Sequence, residues 1–270
     1  MTFRVERARR GLLTMGMALL IAAVAALAPH PAAARNKYAA IIVDAESGAI
    51  LHQRYANSTR HPASLTKMMT LYLTFDALEQ GRLSLDQRLK VSRRASRMPR
   101  TKLFLRAGRT VKVRDAILGL VTKSANDAAV VLAEALGGSE SKFARLMTAK
   151  ARALGMSKTT FRNASGLHHP AQVTTAKDMA TLGIALMRDH PDYYDFFRTR
   201  SFKFAGRSHR NHNHLLGRYA GTDGIKTGYI RASGFNLVAS VKRGNKRLVG
   251  VVMGGLQMMT LNWAFMASFI

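Results

Sequence analysis

The chain has 270 residues, with 42 lysines and arginines against 15 aspartates and glutamates, a formal charge of +27, and no cysteine. Without disulfides an exported chain of this kind must be stabilised by an apolar core. So positive a balance points to anionic partners, but the basic residues are scattered and come with no zinc-finger spacing or nucleic-acid motif, so nucleic acid is not among the expected partners.

Residues 1–34 read as an export signal. Arg4, Arg7, Arg9 and Arg10 form a basic head, Gly11 to Leu27 is apolar, and Ala32-Ala33-Ala34 offers an A-x-A cleavage site. The apolar stretch is shorter than the roughly 20 residues of a spanning helix, and Pro29 and Pro31 follow it. Cleavage near Ala34 and a periplasmic or cell-envelope location are therefore expected, in preference to an uncleaved anchor. The remaining residues, 35–270, have a length that suits one domain with two lobes. They carry 38 basic and 14 acidic side chains, a balance of +24. For an exported protein, peripheral contact with anionic envelope surfaces is the matching expectation. The densest basic run, Arg93, Arg94, Arg97, Arg100, Lys102, Arg106, Arg109, Lys112 and Arg114, reads equally well as a solvated face.

Tyr38 to Val43 and Ala49 to Arg54 are apolar or alternating runs separated by Glu46-Ser47-Gly48, the pattern of a β-hairpin. Leu65 to Leu78 is apolar around most of a helical circumference, which predicts a buried helix. Helical periodicity continues over Val113 to Lys123, Asp127 to Leu136, Lys142 to Leu154 and Ala176 to Arg188, the last opened by a Thr175/Asp178 capping-box pattern. Strand patterns follow at Phe202 to Phe204, Gly224 to Tyr229, Phe235 to Lys242 and Lys246 to Met253. The expected fold class is α+β. The chain ends share one antiparallel sheet flanked by helices, with a mainly helical lobe inserted at about residues 81–199.

Within the buried helix, Lys67 is the residue that needs a reason. It lies three positions after Ser64, on the same helical face, and burial lowers a lysine pKa toward the range where the amine accepts a proton. A serine activated in this way is a nucleophile that needs no histidine. The competing reading makes Ser64 a helix cap beside an incidental lysine. Ser139-Glu140-Ser141-Lys142 repeats the spacing, but it follows Gly137-Gly138 and precedes an amphipathic run, so Ser139 or Ser141 reads as an N-cap.

Two further clusters stand in chain order: Ser124-Ala125-Asn126 between two helices, and Lys226-Thr227-Gly228 on a predicted strand. Taken singly, Ser124 and Asn126 read as caps of the following helix and Lys226 as an exposed strand lysine. Together the three clusters match the signature set of penicillin-binding proteins and class A β-lactamases. Phe161 to Leu167, Thr174 to Ala180, Asp223 to Tyr229 and Ala232 to Ala239 extend the likeness, so that from about Tyr38 to Gly255 the chain resembles the low-molecular-mass penicillin-binding proteins that are D-alanyl-D-alanine carboxypeptidases.

The resemblance implies a catalytic set of Ser64, Lys67, Ser124 and Asn126. Ser64 is the nucleophile toward the penultimate D-alanine of a peptidoglycan stem peptide, and Lys67 is its base, kept neutral by burial and by Lys226. Ser124 relays a proton to the leaving amine, and Asn126 holds the substrate amide or Lys67. It also implies a substrate-binding set of Lys226, Thr227, Gly228 and Tyr229. Lys226 and Thr227 take the terminal carboxylate, Gly228 permits close approach of substrate to the strand, and the amides of Ser64 and Tyr229 form the oxyanion hole. β-Lactam antibiotics are the implied covalent inhibitors; no metal or cofactor is expected. His209, His212 and His214, with His168-His169, come with no grouped carboxylate or cysteine, so a metal site is not read from them. A D,D-endopeptidase and a β-lactamase share the nucleophile, although Glu134 and Glu140 lie in no recognisable loop for the extra base of a class A β-lactamase. A noncatalytic cationic envelope-binding protein is the reading from another class. The apolar tail Leu256 to Ile270 departs from the polar and basic continuation usual in the family.

Overall fold

The computed structural model describes residues 37–255. The expected export signal and the apolar tail lie outside the described residues. Strands β1 (Ala39–Asp44) and β2 (Ile50–Arg54) form the first hairpin. The Asp44 carboxylate shapes its turn by accepting the amides of Glu46 and Ser47 at 3.0 and 2.9 Å. A three-residue 3-10 turn, Ala63–Leu65, leads into helix α1 (Thr66–Glu79). The lobe that follows contains β3 (Arg88–Lys90), α2 (Arg93–Ser96), β4 (Thr110–Lys112), α3 (Val113–Leu118), α4 (Asn126–Gly137) and α5 (Glu140–Ala153). Helices α6 (Ala176–Asp189) and α7 (Pro191–Tyr194) lead to strands β5 (Ser201–Phe204), β6 (Arg207–Arg210), β7 (Thr222–Ile230), β8 (Gly234–Arg243) and β9 (Lys246–Gly255).

The chain ends meet in one five-stranded antiparallel sheet of order β2-β1-β9-β8-β7. Ile41 pairs with Val251, and Lys226 with Val238. Strand β1 lies between β2 and β9, and Ala39 to Val43 are all buried. Its continuous apolar run is what a strand covered on both faces needs. The Ala176–Asp189 helix α6 lays its apolar stripe across β1, β9 and β8. Helix α1 packs against both that helix and the lobe helices α4 and α5, so it is apolar nearly all round. The expected α+β class and the shared terminal sheet are both present.

The structure departs from the sequence pattern in four places. The Val113 to Lys123 run is helical to its end but not α throughout: α3 ends at Leu118, and a π turn over Gly119–Lys123 delivers Ser124 in the left-handed region at φ 57° and ψ 40°. The lobe also contains the antiparallel pair β3–β4, whose three-residue strands are too short for a period-2 signal. Strand β5 has a partner, β6, that periodicity misses because Arg207-Ser208-His209-Arg210 has no apolar residue. Finally, Thr175 caps α6 by accepting the Asp178 amide at 3.0 Å, but Asp178 completes no box. Its carboxylate instead takes the Lys158 amide and the Thr159 hydroxyl at 3.0 and 2.6 Å. Ser139 is the N-cap of α5, with its oxygen 3.3 Å from the Lys142 amide.

Gly166 fixes the turn that carries Ser64. Its φ is +85°, and a Cβ there would lie 1.9 Å from the Ala63 carbonyl oxygen. Gly166→Ala combines left-handed backbone strain with a backbone overlap, and should lower the free energy of unfolding by at least about 2 kcal/mol. Urea denaturation checks this, and a loss below about 0.5 kcal/mol, the range of an inconsequential surface change, would show that Gly166 does not brace the turn.

Candidate active site

Ser64 occupies the middle of the 3-10 turn, which the Asn236 side chain on β8 pins by donating to His61 and Pro62 carbonyls at 3.0 and 3.1 Å. The N-cap of α1 is Leu65, with no side-chain capping bond, so the Ser64 hydroxyl is not spent on a helix end. One turn on, Lys67 is wholly buried. Its Nζ lies 2.5 Å from the Ser165 carbonyl oxygen, 2.8 Å from Asn126 Oδ1 and 3.2 Å from Ser64 Oγ. Burial first and the Lys226 charge second hold the Lys67 pKa well below the usual lysine value, with Asp127 opposing them. A neutral amine has two N–H bonds and one lone pair. Two carbonyl acceptors and one hydroxyl donor complement it, and leave the lone pair facing the Ser64 proton.

Asp127 is the nearest carboxylate influence on the amine, yet its oxygens are engaged elsewhere. They accept the amides of Leu103 and Leu105 at 3.0 Å each and of Ala128 at 2.9 Å. The N-cap of α4 is Ala125, and neither Ser124 nor Asn126 caps that helix. Instead Asn126 orients Lys67 with its oxygen and donates Nδ2 to the Pro99 carbonyl at 3.1 Å. Ser124, delivered by the π turn, is 4 % exposed, and its Oγ has no hydrogen-bond partner among the described residues. It borders the same cleft as Ser64. An unsatisfied buried hydroxyl is costly unless a ligand completes it.

The cleft has a volume of about 310 Å³. Ser64, Ser124, Asn126, Ser165, Thr227 and Gly228 are among the residues that line it. Lys226 is 1 % exposed and lies beneath the lining, donating to the Thr227 carbonyl at 3.0 Å. Burial pushes its pKa down to about 7. It is therefore not the exposed strand lysine of the bland reading. Thr227 is the motif side chain that reaches the cleft directly. Gly228 has a tighter reason than access for a ligand: a Cβ there would sit 2.9 Å from the Ser64 amide nitrogen and 3.1 Å from that of Leu65. The glycine lets β7 press against the Ser64 turn. Tyr229 is 55 % exposed and packs on Phe235, with ring centroids 4.5 Å apart, on the cleft wall.

Several contributors carry no side-chain signal in the sequence. The Ser165 carbonyl is a backbone group, positioned because Asn163 Oδ1 accepts the Ser165 and Gly166 amides at 3.2 and 2.7 Å. Arg100, Thr101, Leu167 and His212 also line the cleft. His212 is held at a pKa of about 4, mainly by burial and then by Lys226, Lys123, His214 and Lys67. His209 lies on β6 against Phe202, and His168 packs edge-on against His61. Glu134 accepts the Ser92 hydroxyl at 3.0 Å, while Glu140 pairs with Arg94 and accepts the Ala164 amide. Neither glutamate, nor any other carboxylate among the described residues, lines the cleft.

Residues 25–257 match the family model of D-alanyl-D-alanine carboxypeptidase, peptidase family S11. The chain is 38% identical over 221 residues to D-alanyl-D-alanine carboxypeptidase DacC of Escherichia coli, covering 79% of this chain and 55% of the relative. It is 32% identical over 253 residues to DacF of Bacillus subtilis, covering 90% and 64%. Penicillin binding protein 5 from Haemophilus influenzae superposes with a TM-score of 0.78 at 36% identity, over 80% of this chain and 64% of that one. Penicillin-binding protein D2 from Listeria monocytogenes in its ampicillin-bound form gives 0.74 at 33% identity, over 81% and 89%. The chain belongs to the D-alanyl-D-alanine carboxypeptidase family and has the fold of low-molecular-mass penicillin-binding proteins. It spans 55 to 64% of the length of these two curated relatives.

Removing the Lys226 charge removes one of the two causes that depress the Lys67 pKa. In Lys226→Met the Lys67 pKa therefore rises, more of the amine is protonated at a given acidic pH, and the acid limb of acylation moves to higher pH. Second-order labelling rates with a fluorescent penicillin across pH 4 to 9 read this limb. An unmoved limb, or one displaced to lower pH, would contradict the coupling of the two lysines.

Proposed function

We propose that the protein is an exported serine D-Ala-D-Ala carboxypeptidase that removes the terminal D-alanine of peptidoglycan stem peptides through an acyl-enzyme on Ser64. The observation that carries this reading is the Lys67 amine, wholly buried and without an ion-pair partner among the described residues, 3.2 Å from the Ser64 hydroxyl. Lys67 Nζ takes the proton as Ser64 Oγ bonds to the carbonyl carbon of the penultimate D-alanine. The oxyanion forms between the amides of Ser64 and Tyr229, at the place where Gly228 brings β7 against the nucleophile turn. Ser124 passes a proton to the departing amine, the C–N bond breaks, and D-alanine leaves. Water then attacks the ester, Ser64 regains its proton, and the shortened peptide is released.

Thr227 and the charge of Lys226 beneath it receive the substrate's terminal carboxylate. That anion stabilises the protonated form of Lys226, whose pKa stands at about 7 without a ligand. The same residues accept the carboxylate of a β-lactam, which acylates Ser64 and blocks it. A class A β-lactamase needs a further glutamate base, and the absence of a carboxylate from the described cleft lining speaks against rapid release of the penicilloyl group. Residues 35–270 form the catalytic domain in this reading, with the helical lobe expected at about 81–199 cut back to the segment through α5, because α6 lies across the sheet. Export rests on the signal pattern of residues 1–34. No described helix is long and apolar enough to cross a membrane, and the charge of +24 after the signal favours peripheral contact with anionic envelope surfaces.

The test is release of D-alanine from a pentapeptide ending in D-Ala-D-Ala, with fluorescent-penicillin labelling in parallel. Ser64→Ala and Lys67→Ala should each reduce release by at least about 10³-fold, Ser64→Ala should take no label, and the wild-type label should persist over many minutes. Label in Ser64→Ala, or none in the wild type, overturns the assignment of the nucleophile. Rapid loss of label transfers the protein to the β-lactamases.

A further inference from the structure

We propose that Arg100, Lys102 and Arg207, gathered around the exposed ring of Phe104, form an anion-binding subsite for a carboxylate of the stem peptide upstream of the scissile bond. The proposal rests on the carboxypeptidase reading and names a recognition element beyond it. Phe104 is 45 % exposed at φ +63°, a conformation that costs a residue with a Cβ about 1–2 kcal/mol. The fold imposes it. Leu103 and Leu105 on either side are buried, and both of their amides are held by the Asp127 carboxylate at 3.0 Å. With its neighbours fixed inward, the ring between them points out.

Cations surround that ring. The guanidinium carbons of Arg100 and Arg207 lie 5.4 and 5.9 Å from its centroid, and Lys102 Nζ lies 5.6 Å away. Each distance is within the roughly 6 Å reach of a cation–π contact. Arg207 comes from the start of β6, about a hundred positions along the chain from the other two, so sequence neighbourhood does not explain the gathering. Like charges this close repel, and among the described residues none of the three is paired with a carboxylate. Lys102 only donates to the Ser96 carbonyl at 3.1 Å. An aromatic face that collects unneutralised cations presents a field that one anionic group satisfies.

The cluster is continuous with the catalytic cleft. Arg100 and Thr101 line it. Their segment is fastened to the Ser124 motif: the Thr101 carbonyl accepts the Asn126 amide at 2.7 Å, and the Thr101 hydroxyl donates to the Ser124 carbonyl at 2.9 Å. The terminal carboxylate of the substrate belongs to Thr227 and Lys226 on β7, so an anion at Phe104 is a second one, on the Ser124 side of the cleft. An acidic peptide running out of the cleft supplies it.

The test uses two pentapeptides ending in D-Ala-D-Ala, identical except that the upstream carboxylates are free in one and amidated in the other. Lys102→Gln/Arg207→Gln spares Arg100 and the catalytic set. Wild type should prefer the free-acid substrate by about fivefold in kcat/KM, mostly through KM, and the preference should shrink in about 0.5 M salt as exposed charges are screened. The double variant should lose the preference while benzylpenicillin still acylates it within about twofold of the wild-type rate. A preference that survives in the variant, equal losses on both peptides, or no wild-type preference overturns the subsite. Penicillin acylation without D-alanine release from either peptide overturns the carboxypeptidase reading, and the subsite with it.

Discussion

The structure depends on a lysine buried without a counter-charge. Taking an ammonium out of water with no partner is far more costly than burying a neutral amine, so burial holds the Lys67 pKa well below the usual lysine value and favours the neutral amine. Most of what surrounds Nζ acts in the same direction. Two carbonyl oxygens take its hydrogens, a hydroxyl faces its lone pair, and a second buried lysine adds repulsion to any protonated state. Asp127, the carboxylate that opposes this, has its lone pairs drawn off by three backbone amides. The same Asp127 grip sets the loop that displays Phe104, so the exposed ring and the amine's electrostatics share one anchor.

Position follows from where α1 lies. The lobe helices α4 and α5 and the sheet-covering helix α6 all pack on it, which makes it apolar around most of its circumference, while the 3-10 turn before it contacts β7 and β8 and carries Ser64 onto the cleft lining. Three segments then close on that turn. Strand β7 approaches through Gly228, the 163–167 segment through Gly166, and strand β8 through Asn236. At both glycines a methyl group would meet backbone rather than a movable side chain. Ser64 is thereby held by main chain on both sides, with little freedom to drift from Lys67.

Much of this was legible in the sequence where side chains carry the signal. A lysine at the head of an apolar helix with almost no other charge is conspicuous, and the decoy at Ser139 was separable because flanking glycines and an amphipathic run mark an N-terminus. Strands β1, β8 and β9 were legible because buried strands read as nearly continuous apolar runs. What escaped is backbone chemistry and geometry. The Ser165 carbonyl that holds Lys67 has no residue-type signature, and the π turn that swings Ser124 into the left-handed region replaced an expected helical end. Strands β3, β4 and β6 are too short or too polar to show a period. Lys226 was recognisable as a motif member, but that it lies beneath the cleft lining follows only from the register of β7 against β8 and the turn it presses on.

The most direct measurement is the titration of the Lys67 amine itself. In protein labelled with 15N at lysine Nζ, with the Lys67→Met variant identifying the signal, Lys67 should show the chemical shift of a neutral amine at pH 7, while the exposed lysines remain ammonium until far higher pH. A Lys67 signal that stays in the ammonium form through pH 7 and titrates with the exposed lysines would contradict the claim that burial and Lys226 make this amine the base for Ser64.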